Sequence, residues 1–465
     1  MYNDETCLPT AKTPCSTAGY PAYVIEAETA TDVQAGVRFA RDTGVRLIVK
    51  GTGHDVSGRS AGAGSLSIWT HRFQGIDVKM NDPVAVKNGG VASVKLEAGM
   101  VWGDVYKAVG KSNLTVIGGA DPHVGVGGWM QGGGHGPLSS LYGLGADQVL
   151  EMEVVTADGE CRNISPESNP ELFWAMRGGG PSSFAVMLSM TVKAYPRLAG
   201  HQYGFQYNTT ASSDTFWDLT ANFSSRLPTL NDHGAMGYYY FEQDAGLANR
   251  SSAAAIYGTF IFPNKNRPEV DAITKPLEDS LRSAPWAREP VYVGSKTVGF
   301  DNFMQFWAAT NAAESALESQ MPSQLEDQTQ FCLLGGGHMH ILCKSPALRS
   351  LAPKSGAYAN EGDPSNSNWK AEYFGEPYER LLDVKSKWDP LGVFWCKPCV
   401  GFDEWNIKPL NNVHQDVNDR GIGQDLVRRF LKTCTMNSGI TILYSLIFRV
   451  DATPKSKMGE GLRSM

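Results

Sequence analysis

The stretch Val49-Lys50-Gly51-Thr52-Gly53-His54-Asp55-Val56-Ser57-Gly58-Arg59-Ser60 sets the end of an apolar run against a loop with three glycines and a single histidine. Glycine lets a backbone come close to an anion and aim its N–H groups at it. Two later segments have the same texture: Gly118-Gly119-Ala120-Asp121-Pro122-His123-Val124-Gly125-Val126-Gly127-Gly128, and Gly132-Gly133-Gly134-His135-Gly136. Each alone reads as a set of tight turns. Three in one region, the first directly after a predicted strand, point to a pyrophosphate cradle. The dinucleotide fingerprint is not met, because Trp129 and Met130 stand where its third glycine belongs and no capped helix is predicted there. No Gly-Lys-Ser/Thr closes any of the loops, which excludes a P-loop. A flavin in a non-Rossmann cradle remains, and His54, flanked by glycine, has no packing reason to be in such a loop.

Around this loop the pattern predicts alternating elements. Upstream, a strand over residues 23–28 leads to a helix capped by Thr29 or Thr31, with Val33, Val37 and Ala40 on its apolar face. Gly44 stops that helix, and a strand over 45–49 completes one βαβ unit. Downstream come strands at 66–69, 91–97, 149–156 and 184–194, with helices at 102–109 and 166–177. Pro196 marks a boundary. The second half reads as strands at 236–243 and 254–262 and helices at 213–227, 268–282 and 302–313, which fits an antiparallel sheet covered by helices on one face. Residues 369–387 read as one helix that ends at Asp389-Pro390. Residues 406–465 hold only three aromatics, Phe430, Tyr444 and Phe448, and read as a loosely ordered tail with one helix at 424–432.

Composition narrows the function. The chain has 465 residues, 42% hydrophobic and 19% charged, with a net charge of −7 and no basic run. That is enough apolar surface for a core, and it argues against disorder and against a nucleic-acid partner. The longest mostly apolar stretch, residues 440–448, is far short of the roughly 20 residues a membrane helix needs, so no membrane partner is expected. Sequons begin at Asn113, Asn163, Asn208, Asn222 and Asn249, a hint of the secretory pathway, although the opening MYNDETCLP carries no signal-peptide pattern. Cys7 and Cys15 close a short loop that suits a disulfide, and Cys396-Lys397-Pro398-Cys399 reads as buried thiols or a strained disulfide. His338 and His340 lack a partner for a metal site, so no metal is expected.

The first loop, the Val124-Gly125-Val126-Gly127-Gly128 run, and Tyr373-Phe374-Gly375…Tyr378-Glu379-Arg380-Leu381…Lys385-Ser386-Lys387-Trp388-Asp389-Pro390…Val393-Phe394 together resemble the berberine-bridge-enzyme-like flavoproteins of the vanillyl-alcohol-oxidase/PCMH superfamily, in its fungal form. The resemblance runs over residues 20–405. It implies an α+β protein: a PCMH-type FAD-binding domain of two α/β subdomains over 17–197, and an antiparallel-sheet substrate domain over 198–357 with helices on one face. A C-terminal segment over 358–405 then returns to the FAD domain, and 406–465 form an atypical tail.

The implied activity is that of an FAD-dependent oxidase taking a hydride from an alcohol or C–N carbon of a small molecule, a sugar or secondary metabolite, and reducing O2 to H2O2. A dehydrogenase, an oxidative cyclase or an impaired flavin binder are the alternatives. His54 is implied as the covalent attachment point, and as the sole tether, because Asp121 stands where many relatives place a second, cysteine tether. Gly51, Thr52, Gly53, Asp55, Gly58, Arg59 and Ser60 are implied around the diphosphate. Gly118, Gly119, Gly125, Gly127, Gly128 and Gly134 are implied to shape the flavin pocket, and Val124 to lie where oxygen approaches.

For the catalytic base, Tyr358-Ala359-Asn360-Glu361 matches a Tyr-x-Asn motif in which Glu361 replaces the tyrosine of sugar-oxidising relatives. Glu361 can act as a base assisted by Tyr358 or Tyr378, or it can be a surface carboxylate. Tyr238, Tyr239, Tyr240 and Tyr257 are candidates to stack on a ring-shaped substrate, with core packing as the alternative. Residues 337–348 look shortened relative to the family, which predicts one or two missing strands in the substrate sheet.

Overall fold

A computed structural model describes residues 19–210, 214–245, 253–318, 330–334, 356–362, 366–406 and 453–454. Cys7, Cys15, Asn249, His338, His340, the shortened 337–348 segment and the proposed helix at 424–432 lie outside the described residues.

The chain opens with β1 (Tyr23–Glu26), α1 (Ala30–Thr43), β2 (Leu47–Lys50) and β3 (Leu66–Trp69). Thr29 caps α1 in a full capping box: its hydroxyl accepts from Asp32 N, and Asp32 accepts from Thr29 N at 2.9 Å. Val33, Val37 and Ala40 of α1 are buried, and Gly44 ends it in the left-handed region at φ 68°. The three strands are parallel in the order β1-β3-β2. The expected βαβ unit of β1, α1 and β2 is present, with β3 inserted between its two strands.

There follow β4 (Ile76–Met80), α2 (Pro83–Lys87), β5 (Ala92–Glu97), α3 (Trp102–Gly110), β6 (Leu114–Thr115), α4 (Val126–Gln131), α5 (Ser139–Tyr142), β7 (Val149–Thr156), β8 (Cys161–Ile164), α6 (Pro170–Met176) and β9 (Ala185–Pro196). The second sheet runs β4-β5-β9-β7-β8, with β6 also on β9. Helix α6 starts at Pro170 and not at residue 166, because Ser165 and Ser168 close a turn on each other first. A short helix, α4, does open after Gly125, contrary to expectation; no side chain caps it, so it left no capping signature.

The second half contains β10 (Gly200–Thr210), α7 (Asp214–Asp232), β11 (Met236–Ala245), β12 (Ala253–Pro263), α8 (Arg267–Ser283), β13 (Tyr292–Phe300), α9 (Phe303–Glu318) and β14 (Gln330–Leu334). These strands form an antiparallel sheet in the order β13-β10-β12-β11-β14. Tyr203, Phe205 and Tyr207 of β10 join Tyr239 and Phe260 in one core with Phe223 and Leu219 of α7 and Leu277 of α8. Period-2 alternation turns Tyr238 and Tyr240 to the face opposite α7 and α8, where Met236 and Ile261 join the main core with Phe303 and Phe306 of α9. Of the tyrosines considered for substrate stacking, Tyr239 is therefore core, while Tyr240 and Tyr257 stack on each other at 5.1 Å.

Beyond the sheet lie α10 (Trp369–Tyr373) and α11 (Tyr378–Trp388). The single helix expected over 369–387 is broken in two, because Gly375 adopts φ 60° and Pro377 follows it. The last described strands, β15 (Trp405–Asn406) and β16 (Thr453–Pro454), pair antiparallel. Helix α11 folds back on the first half. Its Lys385 is buried and donates to Asp389 and to Ser183 O, each at 2.6 Å, while Phe394 bridges to Leu47 of β2. Cys396 and Cys399, both buried, form a disulfide.

Candidate active site

Four separated segments meet at one place. The loop over 51–60 leaves β2 with Gly53 at φ 93° and Gly58 at φ 72°, conformations that favour glycine. Thr52 of this loop accepts from Gly125 N at 3.2 Å, so the loop abuts the start of α4. His54 is exposed and has no hydrogen bond among the described residues. The Ser57 hydroxyl is buried without a partner among the described residues, and such a group calls for a further acceptor or donor. Gly128 is exposed, and a Cβ there would meet nothing within 4 Å.

The other sequence-selected residues have other tasks. Gly118 is buried under the Trp102 indole, where a Cβ would collide with the ring; Gly119 O accepts from Tyr106 Oη at 3.0 Å. Gly127 faces Met187, and Gly134, at φ 72°, packs its Cα against Trp129. These glycines set how closely α3, α4 and the loop after α4 can pack. Asp121 is exposed and accepts from His123 N at 2.6 Å. Val124 is half-buried against the main core. Asp55 and Arg59 turn inward: the Arg59 side chain is 2% exposed, its Nε donates to Asp55 at 2.9 Å and its Nη2 to Asn360 Oδ1 at 2.8 Å.

The C-terminal segment docks on α4 from the other side. Tyr358 Oη donates to Trp129 O at 2.9 Å, and Asn360 Nδ2 donates to Gly128 O at 2.9 Å. Burial pushes the Tyr358 hydroxyl well above its ordinary pKa, and the nearby Glu361 carboxylate adds to the shift. The raised pKa keeps Tyr358 protonated, and its hydrogen bond to Trp129 O fixes its position. Glu361 Oε1 lies 3.0 Å from His135 Nε2, and His135 Nδ1 lies 3.1 Å from Tyr238 Oη of β11. A carboxylate only accepts, so facing Glu361 assigns the Nε2–H tautomer, and Tyr238 then donates to Nδ1. The side chains of His135 and Glu361 are 16% and 39% exposed, so the pair is sheltered yet open to a ligand.

Tyr378 is not brought to this group. It is buried against Trp369 and Phe374, accepts from Gly401 N at 3.2 Å, and burial raises its pKa. His135 and Tyr238 are the residues that sequence reasoning missed as a pair with Glu361. The one available signal was a histidine inside a glycine run, the same signal that singled out His54.

A glycine cradle with a solvent-facing histidine, a carboxylate–imidazole pair beside it and a sheet closing the far side define a flavin-dependent oxidoreductase. A family model described as FAD binding domain matches residues 21–165, and one described as Berberine and berberine like matches residues 357–401. The chain is 32% identical to the FAD-linked oxidoreductase ZEB1 of Gibberella zeae, over 85% of this chain and 78% of the relative. It is 30% identical to the VAO-type flavoprotein oxidase VAO615 of Thermothelomyces thermophilus, over 87% of this chain and 80% of that one. Among solved structures, the VAO-type flavoprotein MtVAO713 from Myceliophthora thermophila C1 superposes with a TM-score of 0.75 at 26% identity, covering 88% of this chain and 86% of that one. The chain belongs to the FAD-linked, berberine-bridge-like oxidoreductases of the vanillyl-alcohol-oxidase type.

Proposed function

We propose that this FAD-linked oxidoreductase is an oxidase for an alcohol or C–N carbon of a small molecule, with its flavin tethered through His54 alone and Glu361 as the base. The observation that carries the reading is the Glu361–His135 pair at 3.0 Å, set beside the open Gly128 position of α4 and facing Tyr238 of the substrate sheet. When bound, FAD supplies a two-electron acceptor that takes a hydride from carbon and returns the electrons to O2.

The chain's own residues do the rest. Glu361 accepts the proton of the substrate hydroxyl or ammonium, and His135 Nε2–H holds the carboxylate in place while it does so. Tyr238 fixes the imidazole, and Tyr358 and Asn360 fix the turn that carries Glu361. His54 is free to bond because nothing among the described residues engages its ring, and Asp121 offers no thiol for a second link. The small Val124 side chain supports an open oxygen path. Passage through the secretory pathway belongs to the same reading: Asn113 and Asn163 are exposed at their sequons, whereas Asn208 and Asn222 are half-buried.

A panel of primary and secondary alcohols, sugars and cyclic amines, assayed for oxygen uptake and peroxide, tests the oxidase assignment. One H2O2 per substrate turned over supports it. Turnover with an artificial acceptor but without peroxide in air contradicts it.

A further inference from the structure

We propose that Arg59 is a positioning residue that sets the place of Glu361 through Asn360, tying the histidine loop to the base. The proposal rests on the reading of Glu361 as base. Its starting point is a buried charge that the cradle does not use. An arginine beside a predicted diphosphate site would be expected to face the phosphates, but the Arg59 fork is 2% exposed and already occupied by Asp55 and by Asn360 Oδ1. Its charge is balanced by Asp55, so what it offers Asn360 is direction.

Asn360 sits in a built socket. Its Oδ1 accepts from Arg59, and its Nδ2 donates to Gly128 O at 2.9 Å and to Tyr358 Oη at 2.8 Å. Gly132 leaves the room, since a Cβ there would collide with the Asn360 amide. With both ends of the amide engaged, the side chain cannot rotate. The turn it anchors is closed by Glu361 N donating to Tyr358 O at 3.0 Å, and Glu361 is the next residue along. A path of hydrogen bonds therefore runs from Asp55, one residue after His54, through Arg59 to Asn360, and the next residue in the chain carries the carboxylate that meets His135. Arg59 and Asn360 are 301 residues apart in sequence. A lysine cannot reproduce the link, because a point charge lacks the planar fork that serves Asp55 and Asn360 together.

Arg59→Met, Asn360→Ala, the double variant and Glu361→Gln, each as flavin-loaded full chain, provide the test. The readouts are hydrogen exchange of the peptide over 356–362, and kcat per bound flavin and KM for the best alcohol of the panel. Arg59→Met and Asn360→Ala are expected to raise exchange of that peptide about tenfold. They are also expected to lower kcat per flavin by up to about a hundredfold, the scale of a misplaced group, with KM little changed. The double variant should be no worse than the poorer single one. Glu361→Gln should lower kcat and leave exchange as in wild type. Unchanged exchange and unchanged kcat per flavin in Arg59→Met, with only a lower melting temperature, would overturn the proposal. If that variant does not fold, Asn360→Ala decides by the same readouts. Full kcat in Glu361→Gln would refute the base instead, and exchange alone would then decide whether Arg59 orders the turn.

Discussion

In the proposed mechanism Glu361, His135 and His54 carry the chemistry, and each is placed by a neighbour of a different kind. Glu361 is held by a side-chain partner, His135 by a carboxylate on one nitrogen and a phenol on the other, and His54 by two glycines that keep its loop open. His54→Ala is expected to leave the fold intact and to abolish flavin fluorescence in an acid-treated denaturing gel, while the wild-type band stays bright. A bright band in the variant would place the tether elsewhere. As candidates, His54 and Glu361 could be singled out in the sequence, the first from its glycine setting and the second from the Tyr358-Ala359-Asn360 motif beside it. The contact of His135 with Glu361 was not legible there, because the two are 226 residues apart and no local pattern announces a contact between segments so distant in sequence. Tyr378 illustrates the converse: a tyrosine inside a matching motif turns out to fill the core beneath α11.

At the scale of elements, strong local signals survived and irregular ones did not. Helix α1 was readable because its capping box, its apolar face at Val33, Val37 and Ala40 and its glycine stop all agree. Helix α4 was missed because glycines open it and no side chain caps it. The order β1-β3-β2 was out of reach, since the apolar run over residues 47–50 is equally compatible with pairing on either neighbour. Helix α11 owes its seat to the buried pair of Lys385 and Asp389. The Asp389 carboxylate, fully buried, also accepts from Val393 N at 2.8 Å and Phe394 N at 2.9 Å. Burial lowers the Lys385 pKa, and the adjacent Asp389 carboxylate offsets that only in part. Asp389→Asn leaves that ammonium uncompensated and is expected to destabilise the fold by about 3–5 kcal/mol, read by denaturant unfolding. A change within about 0.5 kcal/mol would show that the pair contributes little.

Across the whole molecule, the site exists only because the two halves and the C-terminal segment converge. Helix α9 packs Phe303 and Trp307 on Tyr106 of α3, and the Trp307 indole donates to Ala120 O at 2.7 Å, which holds the substrate sheet over the glycine segments. That placement brings Tyr238 to His135, and the turn anchored on α4 by Tyr358 and Asn360 brings Glu361 to the same point. The family resemblance carried by three separated motifs was enough to anticipate the α+β class. The convergence itself follows from packing between distant elements, which sequence patterning does not encode.

The most direct test is to mix flavin-loaded protein with the best alcohol of the panel under anaerobic conditions and follow the flavin absorbance near its visible maximum, comparing wild type with Glu361→Gln. The account predicts rapid bleaching in wild type, and bleaching slowed by about 10²–10⁴-fold in the variant with its flavin content unchanged. Equal bleaching rates in the two proteins would contradict it.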